Sequence, residues 1–137
     1  MVWTFKIPLE PMGKQRPRIT KVGNFSRAYT PPKTKKWEKD AALVLRANWR
    51  RPPLESAVSF EVVAFRERTK EMLRKKNLAI KHCITKPDGD NILKIALDSA
   101  VIAGVLKDDN IAAYVSCGKQ WADPGLKGYL EIRMALL

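Results

Sequence analysis

The chain reads as an α+β domain, a mixed four-stranded sheet with helices packed on one face, in the order β-α-β-α-α-β-β. Three observations predict it. SAVSFEVVAF (56–65) is β-branched and aromatic through its centre. Trp37, Ala41, Val44, Leu45 and Trp49 recur at helical spacing. Two further strand-like runs, IAAYVSCGKQW (111–121) and KGYLEIRMAL (127–136), stand together near the end of the sequence.

In order along the chain, VWTFKIP (2–8) alternates as a first strand and is closed by Pro8 and Pro11. A long loop, 11–30, follows. Thr30 is placed to cap a helix opening at Pro31, since proline suits the first helical position, where no N–H is needed. Lys35, Lys39, Arg46 and Arg50 line a side of that helix other than its apolar stripe, and Arg51-Pro52-Pro53 ends it. After the 56–65 strand, Thr69 to Asn77 reads as a short basic helix. Asp90 is a natural N-cap for a helix over 91–103, in which Ile92, Ile95, Ala96 and Ser99 differ in facing from Lys94 and Asp98. The turn-rich ADPGL joins the last two strands. Neither an internal repeat nor a linker is visible, so residues 1–137 are expected to form one domain.

Composition narrows the function. Hydrophobic residues make up 45% of the chain, enough for a core and against disorder. No apolar run reaches the roughly 20 residues of a membrane span, and MVWTFKIPLE lacks the layout of a signal peptide. The expected compartment is therefore cytoplasmic, without a membrane partner. Cys83 and Cys117 have no CxxC spacing and read as reduced core thiols. The net charge is +12, an attraction for polyanions such as nucleic acid. Its distribution is uneven: residues 1–87 carry 21 Lys/Arg and 7 Asp/Glu, whereas residues 88–137 carry 5 and 7. That division suits a protein holding a nucleic-acid backbone with one part and a metal with another.

The acids are gathered in two places. KPDGDNILK (86–94) places Asp88 and Asp90 around Gly89 just before a helix, and KDDN (107–110) places Asp108 and Asp109 at the mouth of the next strand. Alone, each fragment is more often a helix cap or a solvated turn. Together they predict four carboxylates converging at one end of the sheet. Such hard oxygen ligands suit Mg²⁺, which would also relieve their mutual repulsion. Lys94 lies one turn after Asp90 on the same side of the helix, placed to stabilise charge developing on a phosphate. Metal, lysine and phosphate point to phosphodiester hydrolysis. An EF-hand starting at Asp88 would need Gly and Glu where Leu93 and Ser99 stand. A single histidine, His82, excludes a zinc finger; His82 reads as a loop residue, with a general-base role as the alternative.

These residues resemble the RusA-type Holliday junction resolvases. The family signature, Lys/Arg-Pro-Asp-x-Asp-Asn with Lys and Asp at four-residue steps and a later Asp-Asp pair, is matched by Lys86 to Asn91, Lys94, Asp98 and Lys107-Asp108-Asp109. Pro11-Met12-Gly13-Lys14-Gln15-Arg16-Pro17-Arg18 and Tyr29-Thr30-Pro31 look like the first loop of phage-type members, and Lys119 and Trp121 also agree. The resemblance implies a homodimeric, Mg²⁺-dependent endonuclease, with Mn²⁺ as a substitute, that nicks four-way DNA junctions symmetrically in recombination and repair. It also implies that Asp88, Asp90 and Asp109 bind the metal with Asp108 adjacent, that Lys94 is the essential lysine, and that Asp98 positions Lys94. Gly89 departs from the bulky apolar residue common there.

The basic surface falls in two stretches. From Pro11 to Trp37 there are eight Lys/Arg and no acid, with Phe25, Tyr29 and Trp37 interleaved. Trp37, in helical register, reads as an anchor to the core; Phe25 and Tyr29 stay open between stacking on bases and anchoring. The expected DNA contacts are Lys14, Arg16, Arg18, Lys21 and Arg27, then Arg68, Lys70, Arg74, Lys75 and Lys76, with Lys86 and Lys119 beside the acids. No base-reading code is spelled, so branched DNA would be recognised by shape across a two-fold dimer. Two rivals remain: a non-catalytic basic DNA-binding protein, and a metal nuclease preferring flaps or forks.

Overall fold

A computed structural model describes residues 1–76 and 78–137. Its elements are strands β1 (Val2–Ile7), β2 (Arg18–Val22) and β3 (Phe25–Tyr29), helix α1 (Pro32–Ala47), strand β4 (Val58–Arg66), helices α2 (Lys70–Arg74) and α3 (Gly89–Ile102), a 3₁₀ turn (Asp109–Ile111), and strands β5 (Ala112–Trp121) and β6 (Tyr129–Leu136). The main sheet has the order β1-β6-β4-β5, with β5 parallel to β4 and the other pairs antiparallel. The expected mixed four-stranded α+β architecture is what forms.

The burial pattern shows why the helices occupy one face. Along β4, Val58, Phe60, Val62 and Ala64 are buried while the residues between them are not. Leu130, Ile132 and Met134 of β6 are buried in step, as are Phe5 and Ile7 of β1. Against this face pack Trp37, Ala41 and Leu45 of α1 and Ile92, Ile95, Ala96 and Ala100 of α3. Each large apolar side chain fully buried there contributes about 1.5–3 kcal/mol. The opposite face carries Lys6, Glu131 and Arg133 and stays open to water.

Three expectations change. Within the supposed loop 11–30, β2 and β3 form a separate two-stranded hairpin. Helix α1 takes Pro31 rather than Thr30 as its N-cap, with proline again in the first turn, and it stops at Ala47, so Trp49 is buried from just beyond the helix end. The short basic helix closes at Arg74; Asn77, at the end of that expected span, lies outside the described residues.

Candidate active site and basic groove

The first acidic segment is a loop that becomes a helix. Asp88, not Asp90, is the N-cap of α3, because its backbone carbonyl already accepts from Ile92 N at 3.0 Å. Its carboxylate makes no capping bond, so both oxygens are left for something else. Asp90 falls in the first turn, where the partial positive charge of the helix end favours an anion. Both residues are exposed.

Three attachments hold this segment. The Lys119 ammonium donates to the carbonyls of Thr85 at 2.8 Å and Pro87 at 3.1 Å. Backbone bonds from Cys83 to Lys119 and from Trp121 to Lys81 fasten residues 81–83 along the edge strand β5. On the other side, Lys14 N donates to the Asn91 carbonyl at 2.9 Å. Gly13 permits that approach: a Cβ there would lie 3.1 Å from the side chains of both Asn91 and Pro87. The PMGKQRPR loop is thus docked onto the KPDGDN motif.

The second acidic segment is positioned by Leu54, whose N–H donates to the Val105 carbonyl and whose carbonyl accepts from Lys107 N, each at 2.9 Å. The Asp108 carboxylate accepts from Asn110 N at 3.0 Å, and this bond, with one from Asp109, holds its pKa below the ordinary carboxylate value. Asp109 is pushed the other way, chiefly by sharing a hydrogen bond with Asp108, and then by partial desolvation and nearby anions including Asp98. Lys94 is close enough to temper that rise. Asp109 is therefore within electrostatic reach of both Asp98 and Lys94 on α3, and it shares a cleft with Asp98.

The expected convergence of four acids is only partly met. Asp88 and Asp90 wall a cleft of about 740 Å³ together with Arg16, Lys33, Arg66 and Lys86. Asp108 and Asp109 wall an adjacent one of about 360 Å³ with Asp98 and Lys107. Among the described residues, no three acidic, histidine or cysteine side chains gather at one point. Asp108 and Asp109 share their cleft with Asp98, which lies roughly 12 Å along the axis of α3 from Asp90. As donors, the exposed oxygens of Asp88 and Asp90 have the chemistry of a hard divalent cation site.

Lys14 joins the two clefts, and it corrects an expectation. Its ammonium is held by the carboxylates of Glu38 and, at 3.2 Å, Asp98, and its side chain is 14% exposed. Burial pulls its pKa down, but the bonds and charges of Glu38 and Asp98 outweigh that, leaving it above the ordinary lysine value of 10.5. Asp98 is accordingly held by Lys14; among the described residues Lys94 takes part in no ion pair. Arg68 is a second correction. It is buried, and its guanidinium donates to the carbonyls of Ala122 at 2.9 Å and Leu78 at 3.4 Å, so it ties loops together rather than facing DNA. Lys119 is likewise committed to the loop before Asp88. The other expected contacts, Arg16, Arg18, Lys21, Arg27, Lys70, Arg74, Lys75, Lys76 and Lys86, are exposed. His82 is exposed too, bridged to Gln120 at the sheet edge. Cys83 is buried and Cys117 half-buried; both are free thiols.

A third cleft, of about 540 Å³, shares Glu38 and Ile102 with the second and is walled by Arg27, Tyr29, Lys35 and Lys39. The three clefts thus adjoin one another from Asp88, past Asp109, to the foot of the β2–β3 hairpin, the first and third rich in cations and the second in carboxylates. A family model described as endodeoxyribonuclease RusA matches residues 8–133 of the 137. The chain belongs to the RusA endodeoxyribonuclease family. No curated protein matches it. The RusA match takes in both acidic segments, the PMGKQRPR loop and the three clefts. None of the described helices is long and apolar enough to cross a membrane.

Lys33, Arg66, Lys35, Lys39 and Lys107 line the clefts of this RusA-family chain and were not singled out as contacts. Lys33 and Lys35 do fall in the basic stretch 11–37, Arg66 opens the second basic stretch, and Lys107 leads the Asp108-Asp109 pair; Lys39 was visible only as a member of the basic side of α1.

Proposed function

We propose that this RusA-family protein is a divalent-metal-dependent, structure-specific DNA endonuclease that resolves four-way junctions in recombination and repair. In this reading it works as a homodimer in the cytoplasm, each subunit placing one nick so that the pair is symmetric. The observation that carries the reading is the placement of Asp88 and Asp90, two exposed carboxylates, in a cleft whose charged lining is otherwise all cationic: Lys14, Arg16, Lys33, Arg66 and Lys86. A binding protein gains nothing from acids at that spot, because they repel the phosphates its cations attract. A nuclease needs them there to hold a cation.

In this proposal Asp88 and Asp90 hold Mg²⁺ or Mn²⁺, and Asp109, with Asp108 beside it, supports the ion from the adjacent cleft. The ion, when bound, supplies Lewis-acid polarisation of the phosphate and favours deprotonation of the attacking water. The chain's own residues do the rest. Lys94, exposed and in no ion pair among the described residues, stabilises the charge that grows on the phosphoryl oxygens. Lys119 fixes the Thr85–Pro87 backbone from which Asp88 projects. Asp108, held by Asn110 N, keeps Asp109 oriented. Arg16, Arg18, Lys21, Arg27 and Lys86 hold the DNA backbone along the clefts, and Lys70, Arg74, Lys75 and Lys76 on α2 extend the cationic surface.

The test incubates the protein with a labelled four-way junction and a matched linear duplex, with Mg²⁺ or with chelator. Paired symmetric nicks confined to the junction and dependent on Mg²⁺ are expected, and Asp90→Asn should abolish cutting while leaving binding in place. Tight binding with no cleavage under Mg²⁺ or Mn²⁺ would leave a DNA-binding protein. Equal cutting of flaps and forks would remove the junction specificity.

A further inference from the structure

Arg18, Lys21 and Arg27 of the β2–β3 hairpin are already assigned to the DNA backbone, but its apolar tip has no part in the site described above. All ten residues of its strands are exposed, including Phe25 at 80%, Ile19 at 75% and Val22 at 62%. An apolar tip this open is a liability unless something covers it. The cross-strand register says what. Residues facing each other across a pair share one side of the ribbon, and alternate pairs take alternate sides. One side therefore carries Val22 and Phe25 at the tip, then Thr20 and Arg27, then Arg18 and Tyr29 at the foot. The other carries Lys21 with Ser26 and Ile19 with Ala28. The aromatic rings and the arginines are thus collected on a single side, ring alternating with cation from tip to foot. Tyr29 at the foot and Arg27 one pair above it wall the cleft that adjoins the cleft of Asp109.

We infer that this side of the hairpin is a base-stacking wedge: Phe25 and Val22 insert at the branch of the DNA while Arg27 and Arg18 hold the flanking phosphates. The inference rests on the reading of the chain as a branched-DNA nuclease and assigns the part that engages the crossover. Two physical arguments choose DNA as the occupant. Phe25 and Tyr29 are spaced like a stacking platform among cations, the combination that unstacked bases and their backbone recognise. A second copy of the chain is a poor alternative, since the segment from Lys14 to Tyr29 holds Lys14, Arg16, Arg18, Lys21 and Arg27 and no acid, so self-packing would oppose like charges. Insertion at a branch is also cheap, because bases there have lost part of their stacking.

The test uses a synthetic four-way junction carrying 2-aminopurine at the branch, whose fluorescence reports local stacking. It is bound in chelator by the full-length protein, by Phe25→Ala and by Ile19→Ala from the opposite side. Wild type and Ile19→Ala are expected to change the signal. Phe25→Ala at saturating protein should leave it as in free DNA, with junction affinity about ten-fold lower. With Mg²⁺ present, a junction with unpaired bases at its branch should restore Phe25→Ala to the wild-type cutting rate, which a merely structural defect would not allow. The inference is overturned by a wild-type signal from Phe25→Ala, by an equal loss from Ile19→Ala, or by conversion of a dimer to monomers in Phe25→Ala, which would give the tip to a second copy. Absence of cutting by the wild-type protein would sink the nuclease reading, whereas the fluorescence arm tests the wedge independently.

Discussion

Two lysines that look alike in the sequence do opposite things from surface cations. Lys119 sits in a strand and spends its ammonium on the Thr85 and Pro87 carbonyls, immediately before Asp88. Lys119→Met should therefore cut DNA about 10²-fold more slowly while binding it nearly as well, since a carboxylate displaced by about 1 Å costs that much. Single-turnover cleavage beside equilibrium binding measures the split, and an equal loss in both would make Lys119 a DNA contact instead. Lys14 pairs with Glu38 and Asp98, and its pKa is raised. A raised basic group stabilises the fold fully below the unfolded value near 10.5, and that contribution fades as pH climbs through the higher folded value. The difference in Tm between wild type and Lys14→Met should thus be constant from neutral pH to about 9 and shrink above about 10.5. A gap that stays unchanged as the pH climbs past about 11 would assign the stabilisation to another group.

At the level of elements, the docked loop 11–14 is the joint on which the site turns. Gly13 lies against Asn91 and Pro87 with no room to spare, so Gly13→Val should lift the loop from the start of α3. Cutting is expected to fall by about 10²-fold with Tm lowered by only a few degrees; unchanged cutting in a folded variant would show that the loop's docking does not matter. The same elements mark how far the sequence could be read. The sheet strands and α1 and α3 were legible because one face of each is buried, which imposes a period of 2 or 3.6 on Val58 to Ala64 and on Ile92 to Ala100. The hairpin was not, because both its faces are exposed and no alternation is imposed. Its one signal was Gly23-Asn24 between two short β-prone runs, a two-residue loop with glycine first, which takes φ 61°. The helix start was misread at Asp90 because Asp88, two residues earlier, is an equally good cap, and only the backbone bond to Ile92 decides between them. In the candidate site, Asp88, Asp90 and Lys94 were proposed from spacing along one segment, and the structure brings the two aspartates into one cleft. The burial of Arg68 and the pairing of Lys14 were not, because they depend on contacts with Ala122, Glu38 and Asp98 that are distant in the chain.

For the whole molecule, the question is whether the charge of +12 acts as a diffuse attraction or along a path. The three adjoining clefts argue for a path, since Arg16, Lys33, Arg66 and Lys86 line the first, Lys107 the second, and Lys35, Lys39 and Arg27 the third, beside the hairpin. Each phosphate neutralised releases bound counterions, so the logarithm of the binding constant falls with the logarithm of salt by about 0.9 per contact. The cutting-deficient Asp90→Asn protein allows binding to be titrated without loss of the substrate. Its slope on a four-way junction should be steep, and Arg16→Ala, Lys33→Ala or Lys35→Ala should each reduce it by about one. Arg68→Ala should lower Tm and leave the slope alone, because that guanidinium is occupied by the Ala122 and Leu78 carbonyls. Should the three cleft substitutions leave the slope unchanged while Arg68→Ala reduces it, the DNA would not follow these clefts, and the cations around Asp88 and Asp90 would need another explanation.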